Sequence, residues 1–334
     1  MSVEKDGDLL LYKEVSMNWL LFIGSILTAA AGSFVAAIGL CLSVDKGKKS
    51  SLLVGFLTIL GRQALPVIVL ASSFSVLRQS NLLLLFLLGA GVYGVMAASG
   101  LLGLISPYSC YRSVWRRECA VIFYVLIYLI MVGARTLTKT HPDVTLGWIS
   151  GVLLLLLFAA ECVGPLAESM RGYPLEKHKT SWPAVPALLL AGTGLCIAVI
   201  GGFLTGEQAG ILVDSGKKYP AFWGLLLGIL MAVLFFAVPV LKEWRKGSSH
   251  VQPGLYGPAS LAFCGGLGCA CLFGPVTLTY PAVLSAIVAA VLMLVQIVIG
   301  MRQRRVRRAY ALGLLTAAVL AMAVLIPLLS DGFY

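Results

Sequence analysis

In a chain of 334 residues that is 59% hydrophobic and 12% charged, the polar groups that interrupt apolar runs are where chemistry must be sought. Arg62 lies mid-run, four residues before Pro66, and Glu161 is the carboxylate that falls well inside an apolar run. An ionised side chain at bilayer depth faces a bundle interior or a water-filled cavity and takes an opposite charge as partner. Two readings of Arg62 stand side by side. It is a structural arginine, ion-paired or facing a vestibule, or it is a fixed positive charge that attracts an anionic substrate. Glu161 is a partner for Arg62, a structural group, or a protonatable group in a transport cycle. Gln63, Thr58, Ser72, Ser73 and Ser75 add an amide and hydroxyls to the same run, although such hydroxyls commonly bond back to helix carbonyls.

Enzyme chemistry lacks its parts. His141, His178 and His250 fall between the apolar runs, and no run contains an acid pair or a nucleophile with a base beside it, so the chain is read as a non-enzyme. No cofactor or metal is expected. The eight cysteines lie mostly in or beside apolar runs and act there as small apolar residues. Gly265-Gly266-Leu267-Gly268 follows no strand and is not a phosphate loop.

Positioning these groups requires membrane-spanning helices. The mean hydropathy is +0.96, and the apolar runs are long enough to cross a bilayer. An all-α, multi-pass protein is expected, with ten transmembrane helices at about 18–44, 52–77, 81–105, 118–134, 145–167, 183–204, 221–241, 256–278, 281–300 and 309–329. Two of them carry a matched dipeptide: Pro66-Val67 and Pro239-Val240, each eleven residues after a glycine, Gly55 or Gly228. A mid-helix proline removes a backbone hydrogen bond, which hydrocarbon tolerates only where the site is buried or lines a cavity. Paired broken helices in two halves of five spans predict inverted repeats with a site between them. The division is a leader, 1–17; a first repeat, 18–167; a cytoplasmic connecting loop, 168–182; and a second repeat, 183–334. Glycines in the third, sixth and eighth spans allow close helix approach.

The net charge of +11 follows from topology and does not call for nucleic acid. Of the 25 Lys and Arg residues, 17 fall in loops after odd-numbered spans and 7 on the opposite face, with Arg62 left over. The positive-inside rule therefore puts the odd loops in the cytoplasm and both termini in an extracellular or lumenal space. The acidic leader has no basic n-region, so no removable signal peptide is expected. The expected partners are the lipid bilayer and a small ion or solute; oligomeric state is not encoded in any motif.

The proline pair and the third span, Gly89-Ala90-Gly91-Val92-Tyr93-Gly94-Val95-Met96 followed by Leu104-Ile105-Ser106-Pro107, resemble the cation/calcium exchanger superfamily, whose sodium/calcium members have two inverted five-helix halves. The resemblance extends over nearly all ten spans, to the basic segment and last helix at Arg304–Leu325. In that family the second helix of each half reads Gly-Asn/Thr-Ser-x-Pro-Glu/Asp and the third Gly-Ser-x-x-Phe-Asn. Aligned on the prolines, the positions of the ion-binding acids are Val67 and Val240, and those of the third-helix asparagine or aspartate are Gly94 and Ala270. Calcium takes roughly six to eight oxygen ligands, with carboxylates supplying charge, and valine supplies neither.

The sequence thus implies a transporter resembling a sodium/calcium exchanger, with altered or lost calcium binding, whose pathway includes Arg62, Gln63, Pro66, Val67, Gly94, Glu161, Pro239, Val240 and Ala270. The alternatives are a non-transporting scaffold or regulatory member of that family, and an unrelated ten-helix metabolite carrier.

Overall fold

The computed structural model describes residues 3–44, 57, 59–137, 144–170, 184–215, 220–243, 251–303 and 305–330, and their side chains except at 3–17, 44, 164–170, 184, 212–215, 220–221, 242–243 and 326–330. Because hydrocarbon offers no hydrogen-bond partner to a peptide group, apolar runs close their backbone bonds within helices. These are α1 (Val3–Val44), α2 (Leu60–Val76), α3 (Ser80–Ile105), α4 (Arg112–Leu137), α5 (Trp148–Met170), α6 (Ala184–Ser215), α7 (Phe222–Leu241), α8 (Val251–Phe273), α9 (Tyr280–Arg302) and α10 (Arg308–Ser330). Among the described residues, eight helices are long and apolar enough to cross a membrane. The other two apolar stretches, Leu60–Val76 and Trp148–Val163, are shorter.

Several boundaries move from their expected places. Helix α1 reaches back through the leader to Val3. Helix α4 begins at Arg112, six residues before the expected edge, so Arg116 and Arg117 are helical. Helix α8 spans Val251–Phe273 and not 256–278, because Gly274 and Pro275 stop it and the chain continues as a strand. Most of the expected 168–182 loop, like Gly55 and Thr58, lies outside the described residues.

Among the described residues, four short strands tie distant loops together: β1 (Tyr108–Ser109), β2 (Val144–Leu146), β3 (Val276–Leu278) and β4 (Arg305–Val306). β1 pairs antiparallel with β4, Tyr108 opposite Val306, and β2 pairs antiparallel with β3, Thr145 opposite Thr277.

Small residues set the helix pairs. A side-chain carbon on Gly32 of α1 would lie 2.7 Å from Ala198 Cα, and one on Gly194 of α6 would lie 2.8 Å from Ala36 Cα, so these two helices interlock backbone against backbone. They run antiparallel, since Gly39 meets Ala191 at one end and Gly201 meets Ala29 at the other. Helices α3 and α7 run parallel through Gly228, which faces Gly89 and Ala90, and α2 and α8 run parallel through Gly266, which faces Ala71. Helix α3 also packs antiparallel on α10 through Gly100 and Leu315, as α8 does on α5 through Gly268 and Leu155. The core between them is continuous and holds Phe74, Phe86, Tyr93, Phe236, Tyr256 and Phe263.

Candidate functional site

Proline dictates the local geometry of α2 and α7. Lacking an N–H and crowding the carbonyl four residues back, it loosens the preceding turn. Both helices answer in the same way. Leu60–Ala64 and Ala232–Ala237 are wide π turns, each ending two residues before its proline, and the amides of Leu65 and Val238 reach back five residues to the carbonyls of Leu60 and Val233. The two wide turns pack against each other, with α8 against both. This junction is the candidate site.

Val67 is fully buried and Val240 is nearly so. A side-chain carbon on Gly254 would lie 2.8 Å from Val240 Cγ2, so α8 closes directly over this valine. Gly94 also belongs to the junction: a carbon there would lie 2.5 Å from Ala232 Cβ in the second wide turn. Gln63 supplies the polar group. It is buried, and its Oε1 accepts no hydrogen bond from any described residue.

The structure separates the other expected residues from this junction or pairs them differently. Arg62 is exposed, its guanidinium carbon 4.4 Å from the centroid of the Phe34 ring on α1, a cation–π contact. It does not pair with Glu161, as the sequence had allowed. Glu161 takes its cation from Arg117 of α4: Nη2 donates to the Glu161 carbonyl at 2.8 Å, and Nε lies 3.8 Å from Oε1. Ser260 of α8 donates to Oε2 at 3.3 Å. Ala270 lies beside Ser75, whose hydroxyl donates to its carbonyl at 2.6 Å, whereas Ile68, next to Pro66 and Val67, faces Gly265 and Gly266. The hydroxyls of Ser72 and Ser73 bond back to the carbonyls of Ile68 and Val69.

Arg117 and Ser260 carry no sequence signal as partners of Glu161. Arg117 sits in a basic cluster that reads as a loop, and Ser260 in a small-residue run that reads as helix contact.

No protein-family model and no curated protein sequence matches the chain. Solved structures do match its architecture. The H+/Ca2+ exchanger CAX is similar with a TM-score of 0.67 at 11% identity, over 96% of this chain and 89% of that one. YfkE matches with a TM-score of 0.61 at 11% identity, over 93% and 92%. The sodium-calcium exchanger NCX_Mj matches with a TM-score of 0.57 at 17% identity, over 92% and 98%. The chain has the exchanger fold. It is an integral, multi-pass membrane protein. At these identities the exchanger fold is shared as architecture, and the chemistry of the site has to be argued from the residues of this chain.

Proposed function

We propose that the chain is a membrane transporter on the exchanger fold, with a central site that has lost the calcium chemistry of sodium/calcium exchangers. The observation that carries this reading is the meeting of the two proline-broken turns, with Val67 and Val240 buried where the family resemblance puts acids. Inverted five-helix halves, 18–167 and 183–334, are supported by the pairings. Exchanging the halves turns the α3–α10 contact into α8–α5, the α3–α7 contact into α8–α2, and the β1–β4 ribbon into β3–β2. The charge asymmetry of the loops supports cytoplasmic odd loops and termini on the opposite side.

Helix backbone carbonyls opened by the prolines and the Gln63 amide are neutral ligands. They suit a weakly hydrated monovalent ion or a small polar solute, and they cannot offset the dehydration of Ca2+. Arg62, on the flank of the same turn, is assigned to the entrance of the pathway and not to its centre. The aliphatic, closely packed character of the junction favours, as a second reading, a scaffold that keeps the fold without carrying a solute.

Purified protein in liposomes, tested for flux of Ca2+, Na+, H+ and K+, decides between these. Uptake of a monovalent ion without Ca2+ exchange is the expected result. Calcium uptake driven by a Na+ or H+ gradient would end the altered-site reading, and impermeability to all four would end the monovalent-ion reading and leave a small-solute carrier or the scaffold.

A further inference from the structure

At the membrane face that carries β1 and β4, the ends of α3, α4, α8, α9 and α10 enclose buried polar side chains that the junction does not use. The hydroxyls of Tyr108 and Ser99 are hydrogen-bonded, the Gln296 amide donates to the Tyr256 hydroxyl, and Gln252 Oε1 accepts the Tyr111 N–H. The Tyr256 ring centroid is 5.2 Å from that of Trp115. Tyr310 lies within electrostatic reach of Tyr108 and Tyr256. Gln252 and Gln296 are at most 1% exposed.

This network is incomplete. Gln252 Nε2, Gln296 Oε1, Trp115 Nε1 and the Tyr310 hydroxyl have no hydrogen-bond partner among the described residues. A buried polar group left unpaired gives up its hydration without return, so several such atoms in one network call for a ligand. Its chemistry is fixed by the signs. The amide NH2 is a donor, the amide oxygen an acceptor, and the phenol either one. Swapping oxygen and nitrogen in an amide leaves the same mixture. No single ion satisfies donors and acceptors together, and the set holds no carboxylate for a divalent cation. Water does satisfy both, and a buried water takes typically about three such partners.

The geometry points to a chamber of ordered water, held by Gln252, Gln296, Tyr256 and Tyr310, at the β1–β4 face of the bundle. Gly254, which packs on Val240, lies on the opposite side of α8 from Gln252 and Tyr256, so the helix itself separates the chamber from the proline junction. The chamber's existence is independent of what is transported.

Hydroxyl-radical footprinting of the full chain in liposomes, in 18O-labelled water, tests this. Radicals made from water at a buried site mark the residues beside it, whatever their accessibility to larger reagents. Tyr256 is expected to take up 18O, while Phe86 and Phe236, as buried as Tyr256 but in apolar surroundings, do not. Gln296→Leu and Gln252→Leu are expected to abolish labelling at Tyr256. Should these variants fail to fold, the parent protein still decides, since Tyr256 as unlabelled as Phe86 overturns the chamber. Labelling retained in both folded variants overturns its assignment to these amides. Labelling without any ion flux upholds the chamber and removes only the monovalent-ion reading; flux with no labelling does the reverse.

Discussion

Arg117 reaches Glu161 at two points, donating from Nη2 to its backbone carbonyl at 2.8 Å and placing Nε 3.8 Å from its carboxylate. The longer contact is an ion pair and the shorter a hydrogen bond, so one guanidinium fixes both the backbone and the charge of α5 against α4. With Ser260 donating to the same carboxylate, three helices share one polar node.

Replacing Arg117 with leucine leaves that carboxylate without its cation. The expected destabilisation is about 1–3 kcal/mol, read as a fall in the thermal unfolding midpoint in a fixed detergent. Adding Glu161→Gln should restore most of it, because the amide needs no counter-charge. Equal damage in the single and double variants would mean that Arg117 acts by packing alone.

Gly228 and Gly313 offer an internal comparison. A side-chain carbon on Gly228 would stand 2.7 Å from the Ala90 nitrogen and nearer still to the Phe86 carbonyl, whereas one on Gly313 meets nothing within 4 Å. Gly228→Ala should cost about 1–3 kcal/mol by forcing α3 and α7 apart. Gly313→Ala should be neutral or stabilising by up to about 1 kcal/mol. Thermal midpoints of the two variants check both.

Installing acids at the junction tests the lost-calcium reading from the other side. Val67→Glu with Val240→Glu should lower stability in calcium-free buffer, since both side chains are buried. Calcium should then raise the midpoint of the double variant, with a gain of about 2.7 kcal/mol at roughly 100 times its dissociation constant. The parent protein should not respond. A calcium shift in the parent would show that the valines do not disable the site.

Cys110 lies between α3 and α4, and burial pushes its thiol up to about 11. The thiolate is the reactive form, so alkylation should be slow near neutral pH and rise about tenfold per pH unit below the pKa. Mass spectrometry of Cys110 after timed iodoacetamide exposure supplies the rates.

The helices and the proline breaks are legible in the sequence because both are local: apolar length sets the first, and a missing N–H sets the second. Gly274-Pro275 is an equally plain stop, yet the apolar run crosses it and hides the end of α8 inside a longer hydrophobic stretch. The pairing of charges is not local. Arg62 and Glu161 are legible as unusual, but whether they meet depends on helix rotation, and Arg62 turns to Phe34 while Glu161 turns to Arg117. Arg117 is misread for a related reason. A cluster of Arg112, Arg116 and Arg117 resembles a loop, while the helix that begins at Arg112 carries the last of them to a buried carboxylate.

The two strand ribbons set an order of assembly. The earlier-made strand of each waits for one made much later: Tyr108–Ser109 for Arg305–Val306, and Val144–Leu146 for Val276–Leu278. During synthesis, then, the leading helices sit in the bilayer with exposed strand edges until nearly the whole polypeptide has left the ribosome. Truncation before Arg305 removes a latch that the nascent protein needs to finish, and such products should be quality-control substrates even though almost every helix is present.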